Sequence, residues 1–256
     1  MKSDISLWER LCHIVRNLEW RTLRAALGTC PICGRSIFLR FRNDPLGVRC
    51  IRCGAAPFPL AVVAAIRDRF SDLSSCDVYE ASSRGPLFEF LRSRAGHFAC
   101  SEFFAGVPSG AIQNGVSCQD LQALSYPDER FDLCTNTEVL EHVSNDRRAF
   151  SELHRVLRPG GHLIFSVPLF DSDITLERAE VDAAAPGGLR FIEEAHYHDD
   201  RIQGPGSALV YRDYGLDILD RLRAAGFSSA EIFEWQDPGG LSAAARAVVA
   251  QKSASN

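Results

Sequence analysis

FDLCTNTEVLEHVSNDRRAFSELHRVLRPGGHLIFSVP, residues 131–168, carries the signals of a complete strand–helix–strand unit. Its first apolar run, 131–135, has the length of a buried strand. Residues 146–157 then place apolar side chains at helical spacing on one face. The Pro-Gly-Gly run at 159–161 is a strong stop signal for that helix, and the apolar run 162–167 predicts a strand buried on both faces. The stretch therefore predicts one repeat of a parallel α/β sheet.

The same alternation continues on both sides of this unit. Further strands are predicted at 76–79, 97–103, just before Asp120, 230–234 and 245–250, and further helices at 86–93 and 216–225. Residues 170–213 interrupt the rhythm and contain few apolar positions. This interruption is too long for a plain connection, so we expect it to form a lid or substrate loop. The fold class is α/β, a parallel sheet with helices on both faces.

The quoted run, with PDERFDL at its upstream end, resembles the class I, S-adenosylmethionine-dependent methyltransferases of the type 11-like group. Their usual run has an FDLV strand, an LEH helix start and a helix that ends in RVLKPGG. The resemblance covers residues 76–250. It implies a Rossmann-like, seven-stranded sheet with one antiparallel strand, and S-adenosylmethionine as the cofactor.

The resemblance also implies a set of cofactor-binding residues. In the first loop Glu80 matches the family's acidic residue, and the loop that continues through Ala81, Ser82 and Gly85 would wrap the methionine part of the cofactor. The other implied contacts are Glu102 with the ribose hydroxyls, Asp120 and Leu121 with adenine, and Asn136 and Thr137 where the methyl donor and acceptor meet. Ser82 and Arg84 stand where the family usually has glycine, so side chains would occupy space near the cofactor.

Histidines mark the expected acceptor side of the site. Methylation of a hydroxyl requires the loss of a proton, and a histidine with a pKa near about 6.5 suits that task. In the HYHDD run of the insertion, His198 is the candidate base and His196 an alternate. His142 lies four residues after Glu138, which predicts one helix face for the two side chains, and Glu141 with His142 could position a base or bind a metal. Two histidines and a carboxylate could likewise hold a metal ion, whereas an exposed polar loop and a structural His142 remain open alternatives.

Two CxxC pairs, CPICG at 30–34 and CIRCG at 50–54, predict a zinc ribbon. The spacing C-x2-C-x16-C-x2-C is typical of a structural four-cysteine zinc site, with Cys30, Cys33, Cys50 and Cys53 as ligands. Because a module of this size buries little apolar surface, the metal would supply its folding free energy. Four protein ligands fill a tetrahedral site, so this Zn²⁺ is predicted to be structural and not catalytic.

Length and composition fit one α/β domain with a small accessory module. The chain has 256 residues, a net charge of −5 and no apolar run long enough to span a membrane, and we expect a cytoplasmic protein without membrane contact. Its predicted parts are an N-terminal helix (within 1–28, helical over 5–26), the zinc ribbon (29–56), a connecting helix and linker (57–75) and the methyltransferase domain (76–252) with its insertion (170–213).

Three functional hypotheses follow. The first is O-methylation of a small-molecule or saccharide acceptor. The second is an RNA methyltransferase, since residues 1–70 carry 12 basic and 5 acidic residues, a net charge of +7. The arginines that would contact phosphates are Arg35, Arg40, Arg42, Arg49 and Arg52. The third, prompted by Ser82 and Arg84, is a member of the family that does not methylate.

Overall fold

A computed structural model describes residues 21–44, 46–200 and 204–254. Most of the helix predicted at 5–26 lies outside these residues. Its six described residues, 21–26, are not helical: 21–23 form a turn, and strand β1 (Arg24–Cys30) pairs along its whole length with β2 (Gly34–Arg40). Cross-strand pairing outweighs the helix preference of Ala25 and Ala26, which is a weak preference for any single residue.

The cysteine module is a three-stranded antiparallel sheet in which β3 (Val48–Cys50) pairs with β2. It packs against the C-terminal part of the chain. Phe38 is fully buried and its ring lies 6.1 Å from that of Trp235. The guanidinium of Arg40 donates a hydrogen bond of 2.8 Å to the carbonyl of Leu241. The module is therefore joined to the large sheet by both apolar and polar contacts.

The remaining elements follow in chain order. The strands are β4 (Asp77–Glu80), β5 (His97–Glu102), β6 (Ile112–Gln113), β7 (Val116–Cys118), β8 (Phe131–Thr137), β9 (Leu157–Ser166), β10 (Leu176–Glu177), β11 (Ala179–Val181), β12 (Leu189–Phe191), β13 (Tyr197–Asp200), β14 (Gly204–Leu209), β15 (Arg212–Asp213), β16 (Ser229–Trp235) and β17 (Ala245–Gln251). The α-helices are α1 (Pro57–Arg69), α2 (Pro86–Arg92), α3 (Asp146–Val156) and α4 (Ile218–Ala224), and short 3₁₀ helices span Leu140–His142 and Pro186–Gly188.

The central sheet has eight strands in the order β16-β17-β9-β8-β4-β5-β7-β6. Strands β4, β5, β7, β8 and β9 are parallel, and β17 is antiparallel to both of its neighbours. The predicted α/β fold is thus confirmed. The eighth strand, β6, was not predicted: Asn114 and Gly115, both with positive φ, form a tight turn that folds β6 back on β7.

Helix α1 covers one face of the central sheet. A proline occupies its first turn, where the missing N–H has no intrahelical partner to lose. Its buried side chains, Val62, Val63 and Ile66 among them, share a core with Ile164 and Val249 of the sheet. The helix is therefore part of the core of the large domain as well as a connection to the cysteine module.

The long helix, predicted over 146–157, ends one residue earlier than expected, and the strand predicted at 162–167 begins five residues earlier. Helix α3 ends at Val156 and β9 begins at Leu157, so Gly160 and Gly161 lie within the strand. Gly160 has φ 80°, and the pairing of β8 with β9 shifts register beside this segment. Pro-Gly-Gly therefore ends the helix as expected but forms an irregular strand start instead of a loop.

The insertion predicted at 170–213 consists of three two-stranded antiparallel pairs, β10 with β15, β11 with β12, and β13 with β14. A backbone hydrogen bond joins the segment after β14 to the 3₁₀ turn Leu140–His142, since the amide of Tyr211 donates to the carbonyl of Glu141. Among the described residues, no helix is both long and apolar enough to cross a membrane.

Candidate functional site

A cavity of about 380 Å³ opens at the carboxyl ends of β4, β5, β7 and β8. The chain runs from β4 to β5 on one side and returns to β8 on the other, so strand order reverses here. Such a switch point is where open α/β sheets bind ligands. Of the residues predicted for the site, the cavity is lined by Ala81, Glu102, Asp120, Leu121 and His142.

Glu102 ends β5 and is held by the loop that follows β4. Its Oε1 accepts hydrogen bonds from the amide (2.9 Å) and hydroxyl (2.6 Å) of Ser83, and the Nε of Arg84 lies 3.6 Å away. A carboxylate has more acceptor sites than these contacts use, so Glu102 keeps capacity for a pair of ligand hydroxyls. Any ligand that takes Oε1 must compete with Ser83.

The rest of the first loop contacts Glu102 without lining the cavity. Within the described chain the lining set includes Ala81 but neither Ser82 nor Arg84, so these two side chains do not fill the cavity. Gly85, with φ 96°, instead borders a second depression between helix α2 and the cysteine module, together with Cys53 and Gly54.

Glu80 lies beneath the cavity and does not line it. Its side chain is buried, and the hydroxyl of Thr135 donates a hydrogen bond to its Oε2. Burial raises the pKa of Glu80 to about 8. The carboxyl is therefore mostly protonated at neutral pH, since the buried position disfavours its charged form.

Asp120 and Leu121 follow β7 at the opposite wall. The Oδ1 of Asp120 accepts a hydrogen bond of 2.9 Å from the amide of Gln122. This local turn fixes the carboxylate at the cavity, and Leu121 supplies an apolar surface that is almost fully buried. The pair offers one carboxylate acceptor and one apolar contact, a combination suited to a heteroaromatic ring.

The polar residues at the end of β8, Asn136, Thr137 and Glu138, differ in their access to the cavity. Asn136 is buried, and within the described chain neither atom of its amide has a hydrogen-bond partner; the same is true of the hydroxyl of Thr137. Neither residue belongs to the cavity lining. Glu138 does line it, and its Oε1 accepts a hydrogen bond of 2.9 Å from Ser166.

The expected helix face shared by Glu138 and His142 is wrong. Glu138 has φ 55° and precedes a single 3₁₀ turn, Leu140–His142, so no α-helix joins the two residues. Both nevertheless line the cavity. Burial raises the pKa of Glu138 to about 7, and burial together with the charge of Glu138 raises the pKa of Glu141 well above its usual range.

His198 reaches the site through His142. Its Nδ1 lies 3.2 Å from the Nε2 of His142, whose Nδ1 is 2.8 Å from the carbonyl of Leu209. Burial lowers the pKa of His198, and His142 and His196 lower it further, which favours a neutral imidazole. His196 is exposed and its ring contacts that of His198. Of the three predicted histidines, only His142 is part of the cavity wall.

The four predicted cysteines form one cluster. Their sulfur atoms all lie within 4.8 Å of one another, with Cys30 and Cys53 3.7 Å apart and Cys33 and Cys50 3.5 Å apart. A tetrahedral zinc site with bonds of about 2.3 Å has sulfurs about 3.8 Å apart, so the cluster has the dimensions of such a site. These four residues could hold a metal ion.

Sequence reasoning missed several lining residues, among them Phe103, Gln122 and Tyr211. Phe103 is the last residue of the strand predicted at 97–103 and directly follows Glu102, the last residue of β5, which was an available signal. Gln122 and Tyr211 belong to loops whose path depends on packing, and no local pattern marks them.

Comparisons with known proteins agree with this geometry. Residues 101–165 match a sequence family described as "Methyltransferase domain". A ubiquinone/menaquinone biosynthesis C-methyltransferase of Hydrogenovibrio crunogenus is 49% identical over 43 residues, which are 17% of each chain. A ubiquinone biosynthesis O-methyltransferase of Coxiella burnetii is 41% identical over 49 residues, 19% of this chain and 21% of that one. The chain thus matches only about a fifth of the length of these relatives.

The fold is also that of a solved structure. An S-adenosylmethionine-dependent methyltransferase from Mesorhizobium loti aligns with a TM-score of 0.50 at 17% identity, over 75% of this chain and 98% of that one. The matched segment contains β8 and most of the unit that the sequence analysis started from. The family match covers residues 101–165, and the fold of the chain as a whole is that of the class I methyltransferases.

Proposed function

We propose that the protein is an S-adenosylmethionine-dependent methyltransferase that methylates an oxygen atom of a small-molecule acceptor, a class that includes saccharides. One observation carries this proposal. A single cavity is lined by Glu102 and Asp120 on one wall and by Glu138 and His142 on another. The first wall suits the ribose and adenine of the cofactor, and the second suits an acceptor that must lose a proton.

Each residue of the site has a separate role in this proposal. The cofactor supplies an electrophilic methyl group on a sulfonium. Glu102 accepts hydrogen bonds from vicinal hydroxyls, and Asp120 with Leu121 holds the aromatic base. Alignment of donor and acceptor within one enclosed space provides much of the rate, because the displacement needs little further chemistry from the protein. His198, acting with His142, promotes the loss of the proton from the acceptor hydroxyl.

The partial similarities to ubiquinone biosynthesis methyltransferases, one a C-methyltransferase and one an O-methyltransferase, support an acceptor of low molecular weight. The RNA alternative has less support, because arginines of the cysteine module are engaged within the protein. Arg40 donates to the carbonyl of Leu241, and Arg52 donates to the carbonyls of Cys33 and Arg35. The alternative without methylation rested on Ser82 and Arg84, whose side chains lie outside the cavity.

We also propose that Cys30, Cys33, Cys50 and Cys53 bind one structural Zn²⁺. The observation that supports it is the size of the sulfur cluster, which fits a tetrahedral ion without movement of the strands. The ion would stabilise the cysteine module in the arrangement in which it packs against Trp235.

The direct test is calorimetric titration of the purified protein with S-adenosylmethionine and S-adenosylhomocysteine. We expect both to bind, and Glu102→Gln to weaken binding about 10- to 100-fold, because it removes charge-assisted hydrogen bonds. Glu234→Gln is the matched control, since Glu234 is an exposed carboxylate on β16 at the far edge of the sheet. Failure of both compounds to bind would contradict the proposal.

A further inference from the structure

We propose that Glu141, His142 and His198 form a second metal site, which binds a divalent transition-metal ion at the acceptor wall of the cavity. Glu141 and His142 belong to the 3₁₀ turn after β8, and His198 comes from the β13–β14 hairpin of the insertion. The ligand atoms of the three side chains all lie within 4.8 Å of one another.

Two of the three distances within this cluster exceed those of hydrogen bonds, and the third, 3.2 Å between the Nε2 of His142 and the Nδ1 of His198, fits either a hydrogen bond or two ligands of one ion. The Oε1 of Glu141 lies 3.7 Å from the Nε2 of His142 and 4.0 Å from the Nδ1 of His198. Both separations are too long for a hydrogen bond. Nitrogen and oxygen ligands about 2.0–2.2 Å from one ion lie roughly 3–3.5 Å apart, so small side-chain adjustments would close the site.

Glu141 gives an independent reason to expect a cation. Its side chain is 1% exposed, and neither carboxylate oxygen has a hydrogen-bond partner among residues 21–44, 46–200 and 204–254. A buried carboxyl group without a partner is costly, and a native protein keeps one only where something compensates it. Arg212 attracts it electrostatically, but no hydrogen bond between the two is present in this part of the chain.

His142 is held in the orientation of a metal ligand. Its Nδ1 is 2.8 Å from the carbonyl of Leu209, and a carbonyl can only accept, so Nδ1 carries the proton. The lone pair of a neutral imidazole is then on Nε2, the atom that faces Glu141 and His198. Metal-binding histidines commonly donate their other N–H to a carbonyl in this way.

The donor set indicates the kind of ion. Two imidazoles and one carboxylate suit Mn²⁺, Fe²⁺, Co²⁺, Ni²⁺ or Zn²⁺, whereas Mg²⁺ prefers a shell of oxygen atoms alone. Three protein ligands leave coordination positions open, unlike the four thiolates of the cysteine module. Because His142 lines the cavity, an acceptor oxygen in the cavity could occupy such a position.

The role of the ion in the reaction rests on the proposed function, whereas its binding does not. The hydroxyl of the acceptor would bind the ion, which lowers the pKa of that hydroxyl. The proton is lost to water in the open cavity, and the oxygen lone pair forms a bond to the methyl carbon. The sulfur–carbon bond breaks, and its electron pair stays on sulfur as a neutral thioether. His198 therefore promotes deprotonation through the ion.

The test uses the full-length protein loaded with a single equivalent of Zn²⁺, which the four thiolates take, and titrates it with MnCl₂ and, separately, with CoCl₂, followed by calorimetry. We expect one equivalent of added ion to bind, and His198→Ala and Glu141→Gln each to weaken binding at least about tenfold. His97→Ala is the matched control: the Nδ1 of the exposed His97 lies 3.2 Å from the buried Asp77, at the N-terminal ends of β4 and β5 and away from the cavity, so this variant should bind the ion as the parent protein does.

Folding is monitored by circular dichroism. His198 lies on a hairpin outside the main core, and Glu141→Gln keeps the size and shape of the buried side chain, so both variants should remain folded. Binding of neither ion, or equal binding by all variants, would overturn the proposal. Titration of the same samples with S-adenosylhomocysteine separates the two ideas: cofactor binding without metal binding contradicts only the metal site, and metal binding without cofactor binding contradicts the proposed function.

Discussion

The cysteine module and the cavity differ in how far apart their parts lie in the sequence. All four thiols come from residues 30–53, and their distances follow from two knuckles and one hairpin. The cavity instead collects side chains from five separate segments between residues 79 and 211, which only the sheet brings together. A local site is therefore stabilised mainly by its ligand, whereas a dispersed site is stabilised by the fold.

The largest effect is expected for a substitution in the cysteine module, the local site of this comparison. Cys50→Ser should abolish zinc binding and unfold β1 to β3, because a structural zinc contributes on the order of 10 kcal/mol to such a module. Metal analysis and hydrogen exchange of the module's amides would measure this. Cys76→Ser, at a half-buried thiol outside the cluster, should keep one equivalent of zinc. A Cys50→Ser protein with its full zinc content would show that the cluster is not the metal site.

A smaller effect is expected in the sheet beneath the cavity. The pKa of Glu80 is raised to about 8 from its ordinary 4.5, so between these values the folded state holds a proton that the unfolded state has released. The free energy of unfolding should therefore fall as pH rises from about 4.5 to 8, by at most about 1.4 kcal/mol per pH unit from this group. Glu80→Gln should remove that part of the fall.

Urea unfolding at pH 5 and pH 8 would check this, with Glu234→Gln as the exposed control. We expect Glu80→Gln to be more stable than the parent protein at pH 8 by on the order of 3 kcal/mol, and close to it at pH 5. Equal pH dependence of the two proteins would mean that Glu80 is charged in the folded state.

The smallest effect concerns the loop over the cavity. The Nε of Arg84 lies 3.6 Å from Glu102 and the side chain is about half exposed, so Arg84→Ala should change cofactor affinity by no more than about threefold. We expect an increase, since Arg84 competes for the carboxylate. Calorimetry with S-adenosylhomocysteine would measure it. A tenfold or greater loss of affinity would mean that Arg84 itself contacts the cofactor. A binding residue would then stand where the family usually has glycine.

The repeating pattern of strands and helices predicted the fold well. The site was predicted less well, because its backbone is irregular. Strand and helix periodicity gave the parallel sheet with small boundary errors, such as the start of β9 at Leu157. The 3₁₀ turn at Leu140–His142 and the positive φ of Glu138 were missed, because they depend on tertiary packing at the end of β8. The resemblance named both Glu80 and Glu102, but it could not distinguish a carboxyl group below the cavity from one at its wall.

The position of helix α1 has a consequence for any shortened form of the protein. A protease or an engineered truncation that removed residues 1–70 would delete the cysteine strands and also the layer that covers Ile164 and Val249. The exposed apolar surface would favour aggregation. A shortened chain that keeps the large sheet soluble must therefore start before Pro57.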